Sequence, residues 1–518
     1  GVATARYRDI AAGLKALPVE AELSRLFQID LVTRGDGLAL GAGVVRELGR
    51  AIELVHKLAR RNDGLAKFRE AFGERYESAE VPLAEVLDEE SGIGFSRSSA
   101  SSADTSPLIA GLAFPAGGGA EREVKWGARE TMLLAKLTEA LGRGDREIQL
   151  DEKDLDGIGS KERPPLPDSF ALMATFEAES AAAIDEGRYL LHFGMAGGPS
   201  SANLLGRFCH GDAELTARVR DELRLEEGHR PDAIFAEVVH LPEGRVGNVL
   251  LRPLLRDYEL PFLGASGAPA EQQIRLDDLT VTVDGDRVVL RSRRLGREVV
   301  PRLSSAHNYS SPQSLGVYRF LCLLQSQGLA SAVGWSWAPF EGAPFLPRVT
   351  CGRVVLAPAR WRLDRPQLEA LGKAKGVERW RAVQALRATR GLPRLIALED
   401  GDNKLPIDLD HALAVENLVH LVKERPEAVV TELPTGALPA RGPEGRFVHE
   451  IVLPFRRRPP AAPRSTPVAP PATSIAPPPR RALPGSDCLY VKLYAGAATV
   501  DQILRDVIAP IVEETRAS

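Results

Sequence analysis

The sequence predicts an α+β fold, because helical and strand-like patterns occur in separate runs and not in strict alternation. Helical spacing of apolar residues dominates the first 142 residues, and strand-like runs follow from residue 188 onward. The chain has 518 residues, enough for about three domains. Its 44% hydrophobic and 26% charged residues are typical of a globular protein and exclude a disordered or fibrous one.

Helices are predicted wherever apolar residues recur every three or four positions. The predicted helices cover residues 48–59, 65–72, 128–142, 314–330 and 366–390, the last of them basic. Residues 96–120 are rich in Ser, Gly and Ala and predict a mobile loop.

Strands are predicted where short apolar runs end at turn residues, over 189–193 and 234–239. A hairpin is predicted over 279–290, because two β-rich runs flank Asp284-Gly285. Asp-Gly at this place predicts a type I′ turn, since glycine tolerates positive φ.

The end of the chain predicts a linker and a second domain. Nine prolines fall between Pro459 and Pro479, so residues 456–484 cannot bury a core and are predicted to form a flexible linker. Residues 1–455 would precede it, and residues 485–518 would begin an α/β domain. Since so short a piece cannot fold alone and the chain starts at Gly1, we expect it to be cropped at both ends.

Basic residues concentrate in three segments, although the net charge is only −4. Residues 287–302 hold six arginines, residues 360–390 hold nine basic residues, and residues 456–484 hold six arginines and no acid. Such segments can hold a polyanion locally. The alternative is that they are solvated faces balanced by acidic stretches such as 145–163.

Several classes of protein lack their usual signals here. No apolar run approaches the ~18 residues of a membrane span, and no signal peptide is visible, so we expect a soluble cytoplasmic protein. Four scattered cysteines predict neither a disulfide framework nor a zinc site, and no metal site is expected. Common nucleotide-binding, zinc-protease and hydrolase motifs are absent.

The segment from Gly194 to Phe208 is the first candidate for chemistry. A strand, a glycine turn, and Pro199 followed by serines predict a helix start whose backbone N–H groups bind an anion, with Arg207 two turns further on. The alternative is an ordinary tight turn.

The second candidate is the loop that ends at Asn308, where Arg297, Arg302 and His307 also lie. Arginine offers a planar fork to a carboxylate or phosphate, and histidine moves protons near neutral pH. The alternative is a hydrogen-bonded surface loop.

Two aromatic segments complete the candidates. Trp335 and Trp337 lie among prolines and form either a binding wall or core. Trp361 and Trp380 are interleaved with cations, a pattern that suits RNA. The candidate substrate- or RNA-binding residues are Arg297, Arg348, Arg360, Arg362, Lys373, Lys375 and Arg379.

Several segments together resemble a known family, the class I lantibiotic dehydratases. They are residues 81–94 (VPLAEVLDEESGIG), 205–208 (LGRF), 248–253 (NVLLRP), 258–259 (YE), 301–308 (PRLSSAHN), 345–349 (FLPRV) and 401–410 (GDNKLPIDLD). Residues 489–494 (LYVKLY) and 501–504 (DQIL) resemble the start of the elimination domain shared with thiopeptide-type bacteriocin biosynthesis proteins.

The resemblance implies a two-step dehydration of Ser and Thr in a ribosomally made precursor peptide. Glutamate moves from glutamyl-tRNA to the side-chain hydroxyl, and its elimination leaves dehydroalanine or dehydrobutyrine. Residues 1–455 would be the later part of a large, multi-lobed glutamylation domain of mixed helix and sheet. Glutamyl-tRNA would be a co-substrate, no cofactor would stay bound, and the partners would be the precursor peptide, a cyclase and a second copy of the chain.

The resemblance also suggests site residues. Asp30 and Arg207 match positions important for glutamylation, Arg207 to stabilise a carboxylate or oxyanion and Asp30 to orient it or a neighbouring base. Arg302, His307 and Asn308 are added from their chemistry alone. The family's R-x-T-P-F-G signature, its leader-binding element and its elimination residues are not matched in this chain.

Three alternatives stay open. A peptide–aminoacyl-tRNA ligase would extend a peptide through an amide bond, but such proteins usually lack the elimination domain. A split glutamylating subunit is disfavoured for the same reason. A non-catalytic RNA- or peptide-binding scaffold would explain the Arg and Trp clusters but not the GRF and RLSSAHN segments.

Overall fold

The structure is a computed structural model with both helices and sheets throughout. It describes residues 4–14, 39–59, 63–95, 124, 126–158, 163–240, 250–309, 314–330, 332–401, 403–434, 440–442, 445–446 and 449–457, and the backbone of 30–31 and 490–491. The predicted loop over 96–120 lies outside the described residues. So do nearly all residues of the predicted linker and of the predicted second domain.

The described helices carry the labels α1 to α11 in chain order. They are α1 (Thr4–Gly13), α2 (Ala42–His56), α3 (Ala66–Tyr76), α4 (Leu83–Val86), α5 (Ala128–Arg143), α6 (Ala181–Asp185), α7 (Ala213–Glu227), α8 (Gly316–Leu324), α9 (Arg365–Lys373), α10 (Gly376–Arg390) and α11 (Ala412–Val422). The sequence patterns therefore placed α2, α3, α5 and α8 correctly. Among the described residues, no helix is long and apolar enough to cross a membrane.

The described strands carry the labels β1 to β22. They are β1 (Asp30–Leu31), β2 (Val81–Pro82), β3 (Glu147–Gln149), β4 (Ser169–Glu177), β5 (Leu190–Gly197), β6 (Ile234–Val239), β7 (Tyr258–Pro261), β8 (Leu279–Asp284), β9 (Arg287–Ser292), β10 (Arg297–Arg302), β11 (Ala332–Val333), β12 (Phe345–Leu346), β13 (Arg348–Cys351), β14 (Val354–Ala357), β15 (Arg360–Asp364), β16 (Leu395–Asp400), β17 (Asn403–Asp408), β18 (Glu427–Glu432), β19 (Arg441–Gly442), β20 (Gly445–Arg446), β21 (Ile451–Arg456) and β22 (Tyr490–Val491). The mixed helix and sheet composition confirms the predicted fold class.

A six-stranded sheet in the order β2-β8-β9-β10-β6-β7 carries the candidate site. Its first four strands are antiparallel neighbours, whereas β10, β6 and β7 run parallel to one another. Alternate side chains of β6 point to opposite faces. Ile234, Ala236 and Val238 join the core cluster that includes Phe72 of α3 and Phe320 of α8.

Two further sheets have cores of their own. A seven-stranded sheet has the order β21-β4-β5-β14-β13-β3, with β11 also paired to β5, and packs against α2 and α5. A five-stranded sheet in the order β12-β15-β18-β16-β17 packs against α9, α10 and α11. Arg348 of β13 joins these two sheets, because its guanidinium pairs with both carboxylate oxygens of Glu432 in β18, at 2.7 and 2.8 Å.

Two predictions about local structure were wrong in detail. The hairpin forms as predicted, but its turn residues are Gly285 and Asp286, and only Gly285 has positive φ, at 55°. A type I′ turn needs positive φ at both positions, so this turn is not of that type. The basic segment 366–390 forms two helices, α9 and α10, because the backbone is extended at Ala374 and Lys375, and α10 then begins at Gly376 with a φ of 52°.

Candidate active site

The candidate site lies at the carboxyl ends of the three parallel strands. β10, β6 and β7 end at Arg302, Val239 and Pro261, so the segments that follow them meet at one edge of the six-stranded sheet. Ligands of open sheets with parallel strands bind outside this end. His240 and residues 303–309 begin at this edge.

The structure brings the two segments singled out in the sequence into direct contact. The backbone N–H of Gly206 donates a hydrogen bond to the carbonyl oxygen of Ser304, at 3.1 Å. A side chain at position 206 would overlap that same oxygen, so only glycine fits. Arg207 follows this contact, and His307 and Asn308 lie three and four residues beyond Ser304.

The predicted helix start at Pro199 was wrong. Residues 201–205 form turns, and a short 3₁₀ helix covers Gly206–Gly211. The N–H of Ser201 is taken by the Ser169 hydroxyl at 3.1 Å, and Gly198 packs against strand β4, with no room for a side chain. An anion site on free N–H groups is therefore not formed there.

The predicted catalytic residues differ in exposure. Arg207 is half-buried, and its guanidinium lies 4.9 Å from the centre of the Phe208 ring. Asn308 is exposed and His307 is half-buried. Only the backbone of Asp30 is described, paired in parallel with Tyr490, so the position of its side chain lies outside the described part of the chain.

A network of buried charges lies on the face of the sheet opposite the apolar core. Arg302, Glu237 and Glu259 are register neighbours across β10, β6 and β7. The network joins six side chains, each no more than 10% exposed: Arg252, Arg256, Arg302, Glu226, Glu237 and Glu259. Such charges are tolerated in the interior only when they are paired.

Glu226, near the end of α7, is the acid between two of these arginines. Arg256 and Arg302 each donate to its carboxylate at 2.8 Å. Burial alone would raise the pKa of Glu226, but the two guanidinium groups hold this pKa below its ordinary value. The carboxylates around Arg256 likewise raise its pKa against the effect of burial.

Arg302 is thus tied into the protein interior. Its other donors reach the backbone carbonyls of Pro301 and Gln325, at 3.2 and 3.3 Å, and its guanidinium lies 5.0 Å from the centre of the Phe235 ring. With these contacts, Arg302 can support the loop that follows β10.

The imidazole of His307 lies near the same edge, in contact with an aromatic hydroxyl. His307 Nδ1 and the Tyr318 hydroxyl are 2.8 Å apart, and the His240 ring lies 4.4 Å from the Tyr318 ring. Burial, and then His240, lower the pKa of His307, while burial raises the pKa of Tyr318. With the proton on Nδ1, His307 donates to Tyr318 and its Nε2 remains able to accept a proton.

The predicted basic binding residues lie on other surfaces. Arg297 lines a cleft of about 550 Å³ with Arg230, Arg291 and Glu298, although its own guanidinium donates to backbone carbonyls of residues 231–233. On the five-stranded sheet and its helices, the arginines have acidic partners, in the pairs Arg360–Glu399, Arg362–Glu427 and Arg379–Glu416. Lys373 and Lys375 flank the break between α9 and α10.

Sequence reasoning missed the acids of the network. Glu237 sits alone in an apolar strand (IFAEVV), which is a readable signal, because a carboxylate there must be buried and paired. Glu226 carried no such signal, since α7 is rich in charge. The tryptophan segment belongs to the core, with Trp337 only 5% exposed. Among the described residues, no group of three His, Cys, Asp or Glu side chains could hold a metal ion.

Comparison with known proteins gives a family and related structures. Residues 1–418 match the family described as "Lantibiotic dehydratase, N terminus". The chain is similar to the crystal structure of the tRNA-dependent lantibiotic dehydratase MibB from Microbispora sp. 107891, with 28% identity and a TM-score of 0.65. That match covers 80% of this chain and 40% of MibB. No curated protein matches the chain.

A second similarity is to the glutamylation domain TbtB from thiomuracin biosynthesis, solved alone and bound to 5'-phosphodesmethylglutamycin. Identity is 19% and the TM-score is 0.48, over 80% of this chain and 50% of that chain. The chain thus spans half or less of the length of these two solved proteins.

Proposed function

The chain belongs to the lantibiotic dehydratase N-terminal family, and from this premise we propose that it catalyses glutamyl transfer from glutamyl-tRNA to Ser and Thr hydroxyls of a precursor peptide. Elimination of the glutamate, leaving dehydroalanine or dehydrobutyrine, would complete a tRNA-dependent dehydration. The observation that carries the proposal is the contact between Gly206 and Ser304, which joins the GRF and RLSSAHN segments at the carboxyl ends of the parallel strands.

The chemistry requires a better leaving group than hydroxide. The peptide hydroxyl oxygen attacks the carbonyl of the glutamyl ester, the bond to the tRNA ribose oxygen breaks, and that oxygen takes up a proton. A base then removes the α-proton of the glutamylated Ser or Thr, the bond between its Cβ and the ester oxygen breaks, and glutamate leaves as a carboxylate. The aminoacyl ester supplies the activation, so the reaction needs no nucleotide site.

We assign roles from the geometry of the candidate site. Arg207, half-buried beside the joined segments, would stabilise the carboxylate of the glutamyl group or the oxyanion that forms during attack. His307, whose Nε2 can accept a proton, would take the proton of the attacking hydroxyl, and exposed Asn308 would orient the peptide. Arg302 would support the loop after β10 through its buried contacts. The role of Asp30, to orient Arg207 or a neighbouring base, is proposed from the family resemblance and not from geometry.

The acceptor end of a tRNA needs cations around the site. The cleft lined by Arg297 and the basic helices with Lys373, Lys375 and Arg379 are our candidate phosphate-binding surfaces, together with Arg348, Arg360 and Arg362. Several of these arginines have carboxylate partners, so phosphate would have to compete with a protein acid for each of them.

The remaining partners follow from the same chemistry. Charged tRNA and a nascent precursor peptide meet in the cytoplasm, which is the location we propose. A second copy of the chain and a cyclase acting on the dehydrated product are proposed as partners, and a C-terminal elimination domain as the second catalytic unit, connected through residues 456–484.

Incubation of the full-length protein with precursor peptide and glutamyl-tRNA tests the proposal by mass spectrometry. Loss of one water per modified residue supports the dehydratase, and so does a glutamyl ester that accumulates when elimination is blocked. A stable amide-linked amino acid would instead indicate a peptide–aminoacyl-tRNA ligase. An unchanged peptide mass with retained binding would indicate a scaffold, and either of these results would refute the proposal.

A further inference from the structure

Glu237 is a buried acid in the middle of the apolar strand β6. It is 2% exposed, and its strand neighbours Phe235, Ala236 and Val238 are apolar and buried. Since burial of a carboxylate is costly, a charged residue at this place must make contacts that offset its desolvation. Those contacts point towards the candidate site.

The carboxylate of Glu237 forms hydrogen bonds with the loop after β10. Its Oε1 accepts hydrogen bonds from the backbone N–H of Ser304, at 2.7 Å, and from the Ser304 hydroxyl, at 2.9 Å. Arg252 Nε lies 3.0 Å from the same oxygen, and Arg256 Nε lies 3.8 Å from Oε2. Both polar groups of Ser304 that can donate are therefore held by one acid.

Ser304, held by Glu237, is also in contact with the GRF segment. Its carbonyl oxygen accepts a hydrogen bond from the Gly206 N–H, which it shares with the Ala202 carbonyl oxygen at 3.0 Å. Gly206 packs so closely on Ser304 that no side chain fits between them. A continuous chain of contacts thus runs from Glu237 through Ser304 to Gly206, the residue before Arg207.

We infer that Glu237 is a positioning residue, which fixes Ser304 and thereby the backbone that presents Arg207. It would act through these residues and not touch the substrate. This inference rests on the proposed function, because it assigns Glu237 to the glutamyl-transfer step.

Glu259 offers a matched control. It is the register neighbour of Glu237 in β7, is equally buried and also faces Arg252, at 3.5 Å. Its other partners are Ser266 and Gly267, so it does not hold Ser304. Glu237→Gln and Glu259→Gln therefore remove comparable buried charges, but only the first loosens the contact with Gly206.

The test uses the full-length protein with glutamyl-tRNA and precursor peptide. For Glu237→Gln we expect kcat for glutamylation to fall about 10²-fold with little change in KM for glutamyl-tRNA, because a small misplacement of a catalytic group costs this much. Hydrogen exchange of the Gly206 amide should accelerate in the same variant. Glu259→Gln should keep wild-type exchange at Gly206 and a kcat close to that of the wild type.

A second pair of variants keeps the inference testable if Glu237→Gln does not fold. Gly206→Ala disturbs the same contact from the other side without touching a buried charge, and should lower kcat in the same way. Gly142→Ala in α5, where the added methyl meets nothing within 4 Å, is its control.

The outcomes separate the two claims. Absence of glutamyl transfer by the wild type would refute the proposed function. An active wild type with equal effects of Glu237→Gln and Glu259→Gln, or a Gly206→Ala variant with normal kcat, would overturn the positioning role.

Discussion

Replacement of Glu226 by Gln should destabilise the protein strongly, because Glu226 is the shared partner of two buried arginines. The side chain of Arg256 is fully buried and that of Arg302 is 10% exposed, and both donate to Glu226 at 2.8 Å. The change removes the acid that pairs with Arg302 in the interior, whereas Arg256 keeps Glu227 as a partner, at 2.6 Å.

The expected loss can be estimated from this geometry. Removal of one partner of a buried ion pair costs about 3–5 kcal/mol in free energy of unfolding, because the remaining charge is left desolvated. At roughly 2–4 °C per kcal/mol for a domain of intermediate size, the unfolding temperature should fall by roughly 6–20 °C.

The same helix contains a control. Glu214 pairs with Arg218 one turn later, but their side chains are 75% and 76% exposed. Glu214→Gln should therefore change the free energy of unfolding by about 0.5 kcal/mol or less. Thermal and urea unfolding of both variants, followed by circular dichroism, compares the same substitution in a buried and an exposed pair.

The pH dependence gives a second readout. Since the folded-state pKa of Glu226 lies below the ordinary 4.5, its contribution to stability is present above that pH and is lost as pH falls through the folded-state pKa. The difference between wild type and Glu226→Gln should shrink accordingly in acid. A Glu226→Gln protein that unfolds within 1 °C of Glu214→Gln at neutral pH would refute the reasoning.

The other predictions concern the reaction and the contact between sheets. Arg207→Ala should abolish most glutamylated intermediate, measured by mass spectrometry; normal levels would show that Arg207 is not catalytic. If neutral His307 is the base, kcat/KM should fall only as the pH drops below 6.5. The variant His240→Phe removes one neighbouring imidazole, so the pH at which kcat/KM falls should move upward towards 6.5. A pH profile that this variant leaves unchanged contradicts the assignment. Arg348→Lys should lower the free energy of unfolding by about 1–2 kcal/mol, because lysine cannot form the bidentate ion pair with Glu432. A loss of activity at unchanged stability would instead favour a binding role.

Local patterns in the sequence predicted much of the fold. Strand β6 and the helices α2, α3, α5 and α8 follow directly from apolar periodicity. The turn at Gly285-Asp286 shows the limit of such rules, because Asp-Gly marks a hairpin but leaves open which two residues occupy the turn. β4 was missed, although it is the central partner of both β5 and β21.

The candidate site was predictable as segments but not as an arrangement. The density of polar groups in residues 297–308 singled out Arg302 and His307 from the sequence. Their relation to Gly206 depends on a contact between residues almost a hundred positions apart, which no local pattern encodes. The pairing of Glu226 with Arg302 likewise arises only once α7 packs on the sheet.

The central claim is that the glutamyl group of a charged tRNA is transferred to a hydroxyl of the peptide. The most direct measurement charges tRNA with isotopically labelled glutamate and follows the label into the peptide by tandem mass spectrometry. We predict a labelled ester on Ser or Thr when elimination is blocked, and its absence after ribonuclease treatment of the charged tRNA. Dehydrated peptide that forms without ever carrying the label, or that forms equally well after ribonuclease treatment, would contradict the account.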